Sequence, residues 1–266
     1  MNESVRQWRS LPLLQAKRAV VTAGASGIGR DIADLLISQG CAVAVCDIAD
    51  AALGDFRAKH PGALAVKADV SSTEDVDRLF DSVNEEFGGL DILINNAGIA
   101  GQTARIEDLD PAEWRRCLDV TLTGNYLCAR RAVPLIRAAG GGSIVNISSV
   151  AGRFGYAYRT PYSSAKYGVI GLTESLAKEL GPDNIRVNAV LPGIVEGPRI
   201  RSVIKARAEQ TGVSEAEMEK QYLDKVSMRR MVTQQDIADT VAFLVSPLAQ
   251  MVSGQSIAVC GNVETL

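Results

Sequence analysis

From Lys17 onward the sequence alternates short, almost unbroken apolar runs with longer amphipathic segments. No other feature limits the fold as tightly. Strands covered on both faces read as continuous apolar runs, and parallel neighbours need crossovers long enough to hold a helix. The runs at 19–22, 42–46, 63–68, 92–94, 143–147, 185–191 and 256–259 are therefore expected to be strands. Helix punctuation fills the gaps. Gly40 follows 28–39, Ser72 and Gly88-Gly89 bracket 73–87, Pro111 stands at the first turn of a longer helix, and Thr233-Gln234-Gln235-Asp236 resembles a capping box before 237–244. Residues 198–232 break the rhythm with two helical stretches, 199–210 and 215–226, the second opened by Ser214 with Glu217 three positions on. They read as an excursion between a strand end and the last helix. No linker, composition shift or internal repeat divides the chain, so one domain is expected over 1–266.

Composition excludes several classes. With 47% hydrophobic residues the chain can build a substantial core. Its 28 basic and 31 acidic residues are interspersed, net −3, leaving neither a footprint for nucleic acid nor a polybasic membrane patch. No stretch approaches the ~18 apolar residues of a membrane-spanning helix. The first fourteen residues carry Arg6, Trp8 and Arg9 but no signal-peptide apolar run, so a cytoplasmic location is expected. Cys41, Cys46, Cys117, Cys128 and Cys260 lack Cys-x-x-Cys spacing and read as small core residues in a reducing compartment. A single histidine, His60, gives a metal site or a His-dependent triad little to draw on, and no metal is expected.

Two stretches carry chemistry. After the first strand, Thr22-Ala23-Gly24-Ala25-Ser26-Gly27-Ile28-Gly29-Arg30 is a small-residue turn running into a helix, where free N–H groups and the helix dipole favour a pyrophosphate. Twenty positions beyond Gly27, Asp47 ends the second strand. A carboxylate there accepts hydrogen bonds from ribose hydroxyls and repels a 2′-phosphate, which favours NAD over NADP. The other stretch is Tyr162-Ser163-Ser164-Ala165-Lys166, preceded by Ser149. Tyr162 and Lys166, four apart, share one helix face. A phenol ordinarily has a pKa of about 10, and an adjacent ammonium favours the phenolate. Each stretch also has a plainer reading, as a strand-to-helix turn and as a surface pair.

The ordered set made by the glycine turn, Asp69-Val70, Asn95-Asn96-Ala97-Gly98, Ser149, Tyr162 with Lys166, and Val187-Asn188-Ala189-Val190-Leu191-Pro192-Gly193 resembles the short-chain dehydrogenase/reductase family from about Lys17 to the C-terminus. That resemblance implies an α/β, Rossmann-type, doubly wound parallel sheet of about seven strands with helices on both faces, acting on CH-OH groups with NAD. Gly24, Ser26, Gly27, Ile28, Asp47 and Ile48 would bind the cofactor. Asp69 and Val70 would hold adenine, Asn96, Ala97 and Gly98 would line the fourth strand end, and Pro192, Gly193 and Val195 would flank the nicotinamide. Tyr162 would exchange the substrate proton, Lys166 would lower its pKa and bond the nicotinamide ribose, and Ser149 would hold the substrate oxygen. Asp69 has the plainer alternative of capping the turn before Ser71. A homotetramer is implied by resemblance alone.

The chain departs from the family's pattern in places. Ala23 replaces a glycine, tolerable if that position does not need positive φ. Thr121 stands where an asparagine usually feeds a proton relay, so it is a candidate catalytic residue through its side chain or its carbonyl. Gly197 takes the place of a threonine that bonds the carboxamide, and Cys260-Gly261-Asn262 replaces an Asp-Gly-Gly. On the substrate side, Arg153, Tyr156, Arg159 and Arg199 invite a polar or anionic hydroxy compound, since arginine holds carboxylates bidentately. The excursion, with Gly197 and Gly212 as pivots, would cover that compound. The rivals are an NADP-dependent 3-oxoacyl-thioester reductase, disfavoured by Asp47, and a non-catalytic dinucleotide sensor, disfavoured by the intact Ser149, Tyr162 and Lys166. An enoyl reductase is disfavoured by the four-residue tyrosine-to-lysine spacing.

Overall fold

Alternate residues of a strand feed opposite faces of its sheet, and the first strand, β1 (Arg18–Thr22), does this after Arg18 with only small and branched side chains. In the computed structural model, which describes residues 13–263, Ala19 and Val21 enter one core and Val20 enters the other. The segment around Arg6, Trp8 and Arg9 lies outside the described residues. β1 pairs in parallel with β2 (Ala42–Asp47) on one side and β4 (Ile92–Asn95) on the other. With β3 (Leu64–Lys67), β5 (Gly142–Ile147), β6 (Ile185–Pro192) and β7 (Ser256–Val259), the order is β3-β2-β1-β4-β5-β6-β7, parallel throughout. The chain therefore reverses direction across the sheet between β1 and β4. A crevice opens at such a switch point, outside the carboxyl ends of the strands.

One face of the sheet is covered by α1 (Gly27–Ser38), α2 (Asp50–Lys59) and α9 (Gln234–Val245), through buried Ile32, Leu36, Leu53, Phe56, Ile237 and Val241. The other carries α3 (Thr73–Phe87), α5 (Gly124–Ala138) and α6 (Thr160–Leu180), with Val76, Leu79, Phe80, Ala132, Ile136 and Leu180 buried. The expected caps form: Ser72 Oγ accepts from Asp75 N at 3.2 Å, Gly88 is left-handed at φ 68°, and Thr233 and Asp236 exchange both bonds of a capping box. Pro111 opens α4 (Pro111–Leu118) behind Asp110, whose carboxylate accepts from Ala112 N at 2.8 Å. A π-helical turn, Asp119–Thr123, joins α4 to α5.

The excursion consists of α7 (Pro198–Thr211) and α8 (Glu215–Asp224), packed on each other through Ile204, Ala208 and Met218. The helix expected over 215–226 stops at Asp224, because Val226 is withdrawn into an antiparallel bridge with Val263. The excursion leaves and returns at one point: Val232 N donates to Ile194 O and Glu196 N to Val232 O, both at 2.8 Å.

All five cysteines are buried and free, and burial pushes the Cys41 and Cys46 thiols up to about 12. Beside the start of β4, Asp91 is buried and bonded to Arg18 Nε at 2.7 Å, Arg18 N at 3.0 Å and Lys17 Nζ at 3.2 Å. Burial alone would raise its pKa, but the side-chain and backbone bonds from Arg18 and the bond from Lys17 together hold the carboxyl below its ordinary 3.8. Among the described residues, no helix is long and apolar enough to cross a membrane.

Candidate active site

The carboxyl ends of β1, β4, β5 and β6 share one rim, and Ala23, Asn96, Ser148 and Gly193 there line a cavity of about 540 Å³. Its floor is a polar lock across the switch point. Thr22 Oγ1 accepts from Asn96 N at 2.9 Å and Ala97 N at 3.0 Å, while Asn96 Nδ2 donates to Thr22 O at 3.0 Å and Ala23 O at 3.1 Å. Asn96 thus holds the glycine turn in place, and Ala97 enters the core rather than the cavity.

The turn itself suits an anion. Ser26 precedes α1 with extended backbone and makes no side-chain cap, and the first turn carries no acidic residue, so the leading N–H groups of α1 keep their capacity for a ligand. Ser26, Gly27 and Ile28 line the cavity, and a side chain built on Gly27 would meet nothing within 4 Å, so the space above the helix start is open. A dinucleotide's pyrophosphate fits this cradle. Gly24 stands behind it, pressed to Val45: an added Cβ would be 2.7 Å from Val45 Cγ1. One expectation is corrected here. Ala23 has φ 47°, so the position does require the left-handed region, and alanine occupies it at the cost of local strain.

Asp47, 9% exposed, ends β2 with Oδ1 accepting from Ala49 N at 3.1 Å, and Ile48 beside it is exposed. Neither lines the cavity. Asp69 Oδ1 accepts from Ser71 N at 2.9 Å and Ser71 Oγ at 2.7 Å, capping the turn, and buried Val70 packs against Gly124. Pro192, Gly193 and Val195 line the opposite wall.

Between these walls stand Ser149, Tyr162 and Lys166. Lys166 is buried, donates to Ile147 O at 2.7 Å and holds Nζ 5.8 Å from the centre of the Tyr162 ring. The i,i+4 spacing on α6 accounts for that proximity. The loop carrying Ser149 is pinned to the same helix: Ser148 Oγ donates to Lys166 O at 2.8 Å and Ser163 Oγ to Ala151 O at 2.7 Å. Ser148 is committed to this anchor, while Ser149 Oγ accepts from Ala151 N at 3.1 Å. Gly98 approaches both relay candidates, since a Cβ there would lie 3.3 Å from Lys166 Nζ and 3.5 Å from Thr121 Oγ1. Thr121 is fully buried in the π-helical turn and accepts from Ile99 N at 3.3 Å, outside the cavity lining.

The substrate candidates divide. Tyr156 and Arg159 line the cavity, Arg159 with its guanidinium 5.0 Å from the Tyr162 ring centre. Arg153 turns away: it is exposed and donates to Ser256 O at 3.0 Å on β7. Arg199 belongs to α7, and its side chain lies outside the described residues. Sequence reasoning did not single out Tyr222, Gln234 or Val203 for this cavity. Tyr222 arrives from α8 to meet Tyr156, their hydroxyls 3.3 Å apart. Gln234 fills the space beside Gly197, where a Cβ would lie 3.3 Å from its Nε2. No local pattern announces either one: Tyr222 is brought in by the excursion folding back, and Gln234 by the start of α9 that follows it.

Known proteins agree with this architecture. A family model described as Enoyl-(Acyl carrier protein) reductase matches residues 22–262. Cis-4-hydroxycyclohexanecarboxylate dehydrogenase of Sinomonas cyclohexanicum is 39% identical over 247 residues, covering 92% of this chain and 95% of that protein. A 3-oxoacyl-(acyl-carrier-protein) reductase FabG of Staphylococcus aureus is 35% identical over 252 residues, 93% and 98% of the two chains. A crystal structure of an actinorhodin polyketide ketoreductase variant with NADPH superposes with TM-score 0.90 at 33% identity, over 94% of this chain and 98% of that one. With its parallel sheet, its anion cradle at the switch point and these relatives, the chain belongs to the short-chain dehydrogenase/reductase family, oxidoreductases that move a hydride between a nicotinamide dinucleotide and a secondary alcohol or ketone.

Proposed function

We propose that this chain is an NAD-dependent dehydrogenase of a polar or anionic secondary alcohol, with Tyr162, Lys166 and Ser149 as its catalytic side chains. The observation that carries this reading is the convergence of the three on the cavity that the anion cradle also lines. A bound nicotinamide dinucleotide supplies the hydride acceptor, or in reverse the donor. Tyr162 takes the hydroxyl proton of the alcohol at its phenol oxygen. The Lys166 ammonium, held by Ile147 O, favours the phenolate by its charge. Ser149 orients the substrate oxygen, and a buried setting strengthens each of these interactions. Thr121 takes part in the relay behind Lys166.

Preference for NAD rests on Asp47, supported by the absence of a free basic partner in the turn: Arg30 pairs with Asp34 at 2.8 Å. The named activity of the Sinomonas relative supports a polar, acid-bearing alcohol. The excursion acts as a cover over the substrate, pivoting at Gly197 and Gly212, and the protein works as a cytoplasmic homotetramer. Tyr162→Phe is the direct test. Turnover is expected to fall by at least about 10³-fold, within the range of general acid–base catalysis, while NAD affinity measured by calorimetry stays near wild type. Near-normal turnover would sink the assignment.

A further inference from the structure

Beside Arg159 a second cavity of about 170 Å³ opens, lined by Thr103, Ser202 and Arg207 and sharing Tyr156, Arg159, Val203 and Tyr222 with the larger one. Arg159 lines both cavities, and it is only 7% exposed. Its Nη2 donates to Ala100 O at 3.0 Å, and its Nε is buried without a partner. The guanidinium lies 5.4 Å from the Tyr156 ring and 5.0 Å from the Tyr162 ring, contacts that offset only part of the desolvation of a buried cation. Among the described residues, neither Arg159 nor Arg207 has an acidic partner. Among the described residues, the one acidic side chain lining either cavity is Glu196, next to Val195.

Three further features favour an anion here. Arg159 immediately precedes α6, a 21-residue helix with neither a side-chain cap nor an acidic residue in its first turn. Arg207 reaches in from α7, its guanidinium 5.5 Å from the Tyr158 ring. Tyr158 is itself left-handed at φ 64°, an uncommon state for a bulky residue, in the turn closed by Arg159 N donating to Tyr156 O at 3.1 Å. Strain of this kind is retained where the surrounding structure holds it, and here it presents Arg159 inward.

We propose that the smaller cavity is a carboxylate subsite, in which Arg159 and Arg207 receive the acid group of a hydroxy- or oxo-acid whose carbinol carbon lies at Tyr162. This rests on the reading of the larger cavity given above. The arginine fork matches a carboxylate bidentately. The guanidinium is in contact with the phenol ring, 5.0 Å from its centre, so the acid group and the carbinol of one small hydroxy- or oxo-acid are received at neighbouring positions. No covalent step occurs at this subsite.

The test compares a hydroxycyclohexanecarboxylate with its methyl ester in wild type, Arg159→Gln, Arg159→Lys and Arg207→Gln, and measures calorimetric binding of cyclohexanecarboxylate, which has no carbinol. The acid-to-ester ratio of kcat/KM is expected to fall by about 30-fold or more in Arg159→Gln, the range for losing a buried charge partner. Partial recovery is expected in Arg159→Lys, and a smaller fall in Arg207→Gln. Wild type should bind cyclohexanecarboxylate in the presence of NAD, and Arg207→Gln should bind it more weakly. No preference for the acid over the ester, equal losses on both substrates, or no binding of cyclohexanecarboxylate to wild type overturns the subsite. If the acid binds but neither alcohol is oxidised, the dehydrogenase reading fails and the subsite stands. If Arg159→Gln does not fold, Arg207→Gln and the wild-type comparison still decide.

Discussion

Gly29 offers a sharp test of how the anion cradle is built. A Cβ at this position would stand 2.2 Å from the Ala23 carbonyl oxygen and 2.5 Å from Asn96 Nδ2, where ordinary contact begins near 3.4 Å. The first obstacle is backbone, so in Gly29→Ala helix α1 must retreat from the turn by about 1 Å, because a close-packed interior has no slack to absorb the methyl. Overpacking of this kind costs about 1–3 kcal/mol. The retreat also strains the Asn96 bonds to Thr22 O and Ala23 O, at 3.0 and 3.1 Å, and loss of one adds about 1 kcal/mol. Together, about 3 kcal/mol lowers Tm by about 6–12 °C in a domain of this size. A 1 Å displacement of α1 is expected to weaken catalysis by about 100-fold. Thermal melts followed by circular dichroism measure the first effect, and steady-state kinetics beside calorimetric titration with NAD measure the second. Gly54→Ala is the control, since nothing lies within 4 Å of the added methyl in α2, and it should stabilise by about 0.5–1 kcal/mol. If Gly29→Ala melts within about 1 °C of wild type and binds NAD equally, the helix and the turn are not coupled as argued.

Asp91→Asn should destabilise the fold by about 2 kcal/mol at neutral pH, the worth of a hydrogen-bonded buried charge. Because the native carboxyl is held below its ordinary 3.8, its contribution is fully present above that value and is lost as pH falls through the lower native one. The gap between variant and wild type in urea melts should therefore close in acid; a gap constant with pH would refute the charge argument. Asp47→Ser should raise the NADP-to-NAD ratio of kcat/KM by about tenfold or more, through loss of repulsion toward a 2′-phosphate, and an unchanged ratio would remove Asp47 from cofactor selection. Thr121→Asn should shift the pH–rate profile if the side chain belongs to the relay; a superimposable profile would show that it is not required.

How much of this was legible in the chain varies by element. The seven strands were readable because parallel strands buried on both faces leave unbroken apolar runs, and α3 and α9 because Ser72, Gly88 and Thr233 satisfy helix ends locally. By contrast α2 buries only Leu53 and Phe56, too few to print a period. Tyr162 and Lys166 were visible because four residues on a helix fix a shared face whatever surrounds it.

Asp69 looked the same as an adenine ligand or a turn cap, and the structure spends its Oδ1 on Ser71. Arg153 and Arg159 were equivalent loop arginines until one met Ser256 on β7 and the other was buried between two tyrosines. Ala23 gave no sign that its backbone must be left-handed.

By itself, then, the sequence determined the strand–helix rhythm, the glycine turn and the tyrosine–lysine face, all properties of a few neighbouring residues. The partners of Arg159, the meeting of Tyr156 with Tyr222 and the second cavity were decided only by the tertiary structure. They join residues as far apart as Ala100, Arg159 and Tyr222, and a side chain's direction across such separations is set by packing, not by local pattern.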